Sequence, residues 1–116
     1  MSKRDELLFL HDILDSTNAI LEFTDGFDID KFSTDRLVYS ATIREFEIIG
    51  EATIHLSIET LSKYDQIPWR DLKDFRNLLI HEYFGVDYEI VWNTIKNDLP
   101  LLKKIVTKMI EDFKAN

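Results

Sequence analysis

Residues 34–62 read TDRLVYSATIREFEIIGEATIHLSIETLS, and their apolar side chains recur at the spacing of an amphipathic helix. A single helix over this stretch would be on the order of 45 Å long and would form the spine of a helical bundle. Ser33 is a suitable N-cap residue for it. Gly50 interrupts the stretch where alanine would be more stable by roughly 1 kcal/mol, which predicts the close approach of another helix, from this chain or from a second copy.

The segment before this stretch predicts one long helix and a short turn. Ser2 and Asp5 form an N-terminal capping pattern, and the apolar residues that follow recur at helical spacing as far as Phe23. The segment 24–28 breaks the pattern, and Asp30-Lys31-Phe32 can add a short turn. Because the whole chain has only three glycines and two prolines, little material is left for hairpins, and we predict an all-α fold.

Proline, glycine and aspartate divide the C-terminal part of the chain into further helices. Pro68 suits the first turn of a helix, and Gly85 suits its end. Asp87 can cap the next helix, and Pro100 either kinks that helix or starts a new one after an Asp98 cap. The complete pattern predicts four to five helices packed up and down in a bundle.

Composition restricts the class of protein further. Residues 1–116 are expected to form one domain, and the absence of cysteine excludes disulfide frameworks, thiol nucleophiles and cysteine-ligated zinc. No apolar run approaches the roughly 20 residues that span a bilayer, so we expect a cytoplasmic protein that does not enter the membrane. The net charge of −8 disfavours an extended nucleic-acid surface. A local basic patch can still act within an acidic molecule, and the last helix carries four lysines: Lys103, Lys104, Lys108 and Lys114.

The stretch Arg76-Asn77-Leu78-Leu79-Ile80-His81-Glu82-Tyr83 places a guanidinium, an amide, an imidazole and a phenol on about two turns of one predicted helix. Taking the arginine as zero, a step of about 100° per residue puts His81 near 140° and Tyr83 near 340°. The polar groups therefore share one side, and Leu78 and Leu79 are expected to pack inward. Such a face indicates a site for phosphate binding and proton transfer. The alternative is a polar face that only stabilises the bundle.

This motif, with four residues between the arginine and the histidine and one before the tyrosine, resembles that of the HEPN superfamily and of the DUF86/HepT-like toxins within it. Further blocks of that family match in the same order along the chain: Ile49-Gly50-Glu51-Ala52, Pro68-Trp69, Val86-Asp87, Val91-Trp92 and Leu99-Pro100. Several blocks in order are much more specific than the motif alone. The resemblance covers nearly the whole chain and implies a HEPN-type bundle that forms a homodimer.

The resemblance implies a metal-independent endoribonuclease that needs no cofactor. Arg76 would hold an RNA phosphate, and His81 would act as a general base or acid. Asn77 would orient the imidazole or bind the phosphate. In a homodimer, two copies of the motif would meet across a two-fold axis and supply both the base and the acid.

The same resemblance implies that the protein is the toxin of a type VII toxin–antitoxin pair, with RNA as its substrate and tRNA as one candidate. Tyr83 would accept AMP from a partner nucleotidyltransferase of the minimal type. The added nucleotide would fill the site and repel RNA phosphate. Two other functions stay open: a non-catalytic subunit that presents substrate to such a nucleotidyltransferase, and a structural dimerisation bundle.

The remaining polar and aromatic groups are expected to be structural. Glu51, His55 and Glu59 recur every four residues along the predicted spine helix, but such pairs are more often interactions on a helix surface than metal ligands. Metal binding is not expected there. Trp69 and Trp92 are expected to anchor the core or an interface.

Overall fold

The computed structural model describes residues 2–81, of His81 the backbone alone, and residues 87–115. Its helices are α1 (Lys3–Phe23), α2 (Ile29–Thr34), α3 (Arg36–Ile54), α4 (Ile58–Lys63), α5 (Trp69–His81), α6 (Tyr88–Asn97) and α7 (Leu99–Ala115). The described residues contain no strand, which confirms the all-α prediction. Within the same residues, no helix is both long and apolar enough to cross a membrane. The two six-residue helices, α2 and α4, come in addition to the predicted four to five.

Helix α3 lies at the centre of the packing, between α1 and α5, and α1 packs in turn on α7. Helix α6 packs on α7, while α2 contacts both α6 and α3. Fully buried apolar side chains from the five longer helices form the core: Leu10, Ile13, Ile20, Ile43, Ile49, Leu79, Val91, Ile95, Leu102 and Met109. Because burial of one such side chain contributes about 1.5–3 kcal/mol, this core is the main source of stability.

The prediction of a single helix over residues 34–62 is wrong, because the structure divides this stretch into α3 and α4. Helix α3 is capped by Asp35 rather than by Ser33, since the Asp35 carboxylate accepts the amide of Val38 at 3.0 Å. The helix ends at Ile54 after 19 residues. Its length is therefore about 28 Å rather than about 45 Å.

A serine and a distant glutamate account for the break between α3 and α4. Ser57 caps α4 with its hydroxyl, which accepts the amide of Thr60 at 3.1 Å. Glu6 of α1 accepts the amide of Ser57 at 2.6 Å on one carboxylate oxygen and the hydroxyl of Thr60 at 3.2 Å on the other. Glu6 is only 6% exposed, so a buried carboxylate from another helix fixes the start of α4.

The other predicted helix limits that fall in the described residues agree with the structure. Ser2 caps α1, and its hydroxyl accepts the amide of Asp5 at 3.2 Å. Asp87 caps α6, and its carboxylate accepts the amide of Glu89 at 2.8 Å. Pro100 lies in the first turn of α7, so a new helix starts there and the chain is not merely kinked.

Both tryptophans are buried, as a core role predicts. Trp69 is 6% exposed, and its ring nitrogen donates to the carbonyl oxygen of Tyr64 at 2.9 Å. The ring of Trp92 packs on that of Phe32, with 5.3 Å between the centroids. The predicted end of α5 at Gly85 lies outside the described residues.

Candidate functional site

Arg76 lies against Gly50 where α5 crosses α3. A Cβ atom added to Gly50 would overlap the Cβ of Arg76, and it would lie 2.6 Å from the Cγ of Arg76 and 3.4 Å from the carbonyl oxygen of Leu72. Only glycine leaves room for the arginine stem at this position. The close approach predicted at Gly50 is therefore confirmed, and the approaching helix belongs to the same chain.

The two terminal nitrogens of the Arg76 guanidinium each donate a hydrogen bond to a different side chain. Its Nη2 donates to Oε2 of Glu51 at 2.7 Å, and its Nη1 donates to Oδ1 of Asn77 at 3.1 Å. The Nε atom is buried and has no hydrogen-bond partner among the described residues. Since the side chain as a whole is 26% exposed, its stem is covered and the tip of its fork reaches the surface.

Glu51 is in turn supported on its other side. Its Oε1 lies 3.5 Å from Nε2 of His55, which follows the last residue of α3. The imidazole of His55 stacks on the ring of Phe9 of α1, with 4.6 Å between the centroids and 11° between the planes. Three helices, α1, α3 and α5, thus contribute to one connected set of side chains.

The regular stripe predicted for Glu51, His55 and Glu59 does not exist, because α3 ends before Glu59. Glu59 lies in α4, where its carboxylate is 3.9 Å from the ammonium of Lys63. The pair that does form, Glu51 with His55, is the surface interaction favoured by the sequence. No group of three potential metal ligands occurs in the described part of the chain.

An open groove of about 380 Å³ runs beside Arg76 between α1, α3 and α5. Three carboxylates and two guanidiniums line it: those of Asp12, Glu47, Glu51, Arg44 and Arg76. The groove is therefore not a basic surface, and its attraction for an anion depends on the two arginines. The four lysines of α7 are exposed but do not line this groove.

The structure brings together only part of the predicted site. Leu79 is fully buried, as predicted, but Leu78 is 37% exposed and the expectation that it packs inward is wrong. The inner face of α5 is formed by Leu72, Leu79 and the stem of Arg76, and Leu78 lies about 100° away from Leu79 around the helix. His81 is the last residue of α5, where its backbone alone is described, and Tyr83 lies outside the described residues.

Glu51 is the site residue that sequence reasoning missed. The sequence places it in the Gly-Glu-Ala block and in the stripe with His55 and Glu59, but not opposite Arg76. The glycine before it was the available signal. The helix that approaches Gly50 also brings the guanidinium of Arg76 to Glu51.

Two ionisable groups outside the groove have perturbed pKa values. Burial raises the pKa of Tyr64 to about 12, helped by a hydrogen bond of 2.7 Å from its hydroxyl to Asp112. Burial, and then repulsion from Asp71, raises the pKa of the Asp98 carboxyl. Neither group lines the groove beside Arg76, so neither takes part in the candidate site.

The all-α bundle, with an arginine five residues before a histidine on α5, agrees with the HEPN-type domain that the sequence resembles. Comparison with known families agrees. The model of the family described as "Ribonuclease HepT-like" matches residues 13–109. The chain belongs to this HepT-like ribonuclease family.

Individual relatives support the same assignment. The chain is 43% identical over 106 residues to "Putative RNase MJ1380" of Methanocaldococcus jannaschii, an alignment that covers 91% of this chain and 97% of that protein. It is 40% identical over 101 residues to "Probable ribonuclease HepT" of Thermococcus cleftensis, covering 87% and 92% of the two chains. No solved structure gives a significant match.

Proposed function

We propose that the chain is a metal-independent endoribonuclease and the toxin of a type VII toxin–antitoxin pair. The observation that carries this proposal is the placement of Arg76, whose stem rests on Gly50 and whose guanidinium reaches an open groove. His81 follows five residues later on the same helix. The family and the names of its relatives support RNA as the substrate. Within that class, tRNA is the candidate that the sequence resemblance implies.

The reaction would be an attack of the ribose 2′ oxygen on the adjacent phosphorus. His81 would take the 2′ proton as general base while the bond from O2′ to phosphorus forms and the bond from phosphorus to O5′ breaks. A general acid would protonate the leaving O5′, so the products are a 2′,3′-cyclic phosphate and a 5′ hydroxyl. Arg76 would bind the phosphate and stabilise the charge on its oxygens, and Asn77 would support the guanidinium.

The general acid would come from a second copy of the chain. One imidazole cannot take a proton and give one in the same step, and each chain supplies a single His81 in the motif. A symmetric homodimer would place two motifs at one site, so that His81 of each copy performs one of the two proton transfers.

Regulation would act through Tyr83, two residues after His81. A partner nucleotidyltransferase of the minimal type, the antitoxin, would attach AMP to the phenolic oxygen. The phosphodiester anion and the purine would then occupy the space beside Arg76 and compete with RNA at a high effective concentration. The modified protein would be inactive.

A non-catalytic subunit that presents substrate to such a nucleotidyltransferase is the second candidate. The observation that favours this second candidate is the negative charge of the chain and of its groove. The chain carries a net charge of −8, and carboxylates outnumber guanidiniums in the groove, which opposes strong RNA binding. Expression without the nucleotidyltransferase separates the two functions, because growth arrest is expected from the toxin alone.

The decisive experiment is incubation of the purified protein with total RNA in the presence of a chelator. We expect cleavage by the wild type and a loss on the order of 10²-fold or more in His81→Ala, because a positioned acid or base is removed. Arg76→Lys should also be strongly impaired, since lysine keeps the charge but loses the planar fork. His11→Ala, which changes a histidine of α1, should cleave like the wild type. Equal cleavage by His81→Ala and wild type would refute the proposed mechanism.

A further inference from the structure

Glu51 makes the shortest side-chain contact of the Arg76 guanidinium among the described residues. The two residues lie on different helices and are 25 positions apart, with 2.7 Å between Oε2 and Nη2. The Glu51 side chain is 52% exposed, and an exposed ion pair contributes little to stability. Its main effect should therefore be on the geometry of the arginine.

Two hydrogen-bond acceptors, together with the packing of the arginine stem against Gly50, fix the plane of the guanidinium. Glu51 holds Nη2, Asn77 holds Nη1, and the stem rests on Gly50. Each terminal nitrogen of an arginine carries two N–H groups, so each keeps one for a phosphate oxygen after these two hydrogen bonds are made. The arginine is thus oriented without its donors being exhausted.

The carboxylate that orients Arg76 is itself restrained. His55 lies 3.5 Å from the second oxygen of Glu51 and stacks on Phe9. A carboxylate that lies between Arg76 and His55 has fewer rotamers open to it, which favours a fixed position of the guanidinium that it accepts from. An alternative role for Glu51 is that of a competing anion, which RNA phosphate would have to displace from Arg76.

We propose that Glu51 is a positioning residue, which holds the Arg76 fork in the orientation that receives a phosphate of the substrate. This inference rests on the proposed function, because it concerns the same site. A group held in place before the substrate arrives needs no reorganisation during the reaction, and a displacement of about 1 Å can cost on the order of 10²-fold in rate.

Side-chain relaxation of the arginine Nε–H groups by NMR tests the positioning itself, without any RNA. In the wild type we expect a restrained Arg76, and in Glu51→Ala a mobility that approaches that of Arg44, whose side chain is 70% exposed. Glu51→Gln keeps an oxygen acceptor and should retain most of the restraint. Glu47→Ala removes a carboxylate from the same groove and serves as the control for charge. Equal mobility of Arg76 in wild type and Glu51→Ala would overturn the proposal.

Cleavage rates of the same variants test its consequence. Glu51→Ala should lower kcat about tenfold or more, with a melting temperature close to that of the wild type, while Glu51→Gln should remain near wild-type activity. Cleavage by Glu51→Ala at the wild-type rate or faster would overturn the positioning role, and faster cleavage would identify Glu51 as a competing anion. If the wild type cleaves no RNA but the Arg76 side chain is still more mobile in Glu51→Ala than in the wild type, the proposed function fails and the positioning of Arg76 by Glu51 stands.

Discussion

Tyr83 is the single residue on which regulation would act. With ATP, Mg²⁺ and the partner nucleotidyltransferase, we expect the wild type to gain AMP and lose RNA cleavage, because a tethered anion competes for Arg76. Tyr83→Phe removes the acceptor oxygen and should stay active. Intact-mass spectra before and after incubation measure the change.

The matched control for this experiment is Tyr88→Phe. Tyr88 is 42% exposed on α6, and its ring contacts Tyr39 at 4.6 Å between the centroids. This variant should accept AMP like the wild type. If Tyr83→Phe gains as much AMP as the wild type, the acceptor is another residue and the proposed switch is wrong.

At the residue scale, the sequence could predict that Arg76 and Asn77 lie beside each other on one helix, but not which residue of another helix contacts them. Arg76 and Asn77 follow from the spacing of one helix. The contact between Glu51 and Arg76 joins two helices, and local spacing carries no information about which side chains face each other there. The prediction for Leu78 is wrong for a related reason, since the stem of Arg76 occupies part of the inner face that the helical wheel gives to leucines.

The crossing of α3 and α5 is the element-scale feature on which the site depends. Gly50→Ala should force the two helices apart, because the new Cβ overlaps the Cβ of Arg76. Overpacking typically costs about 1–3 kcal/mol, against a gain of roughly 1 kcal/mol in helix propensity, so we expect a net loss of stability. Denaturant unfolding measures this loss, and the RNA cleavage rate should fall with it.

Gly26→Ala provides a contrasting variant. Gly26 has a φ of +75°, and a Cβ atom added to it would meet no atom of the described residues within 4 Å, so alanine there is strained but displaces nothing. Gly26→Ala should lower the stability of the protein without changing the mobility of the Arg76 side chain or the rate of RNA cleavage. If Gly50→Ala has the stability and the cleavage rate of the wild type, the close packing of Arg76 against Gly50 does not require a glycine.

The limits of most helices could be predicted because their caps are local. Ser2 and Asp87 act on amides within three residues, so the pattern is visible in the sequence. The end of α3 could not be predicted in the same way. Ser57 is a visible cap, but the apolar spacing continues past it, and the carboxylate that completes the break comes from Glu6 in another helix.

The whole molecule is expected to be a homodimer at micromolar concentration. The groove carries both signs of charge, and Leu78 and Ile80 of α5 are partly exposed, at 37% and 44%. A surface with both charges and apolar groups can be complementary to itself, as a two-fold interface requires. Sedimentation should show a dimer for the wild type and a monomer for Ile80→Asp, which would also lose RNA cleavage.

Leu37→Asp is the control for this experiment, because Leu37 is 80% exposed at the start of α3 and does not line the groove. It should remain a dimer. A wild type that sediments only as a monomer yet cleaves RNA at full rate would remove the need for two copies of His81.

The buried contact of Glu6 links the beginning of the chain to its middle. A helix of six residues does not persist alone in water, so α4 should exist only while the first turn of α1 is docked beside it. The two segments, 51 positions apart, should therefore open and close as one cooperative unit. Because His55 follows α3 and stacks on Phe9 of α1, fraying of the N-terminal residues would also loosen the contact between His55 and Glu51.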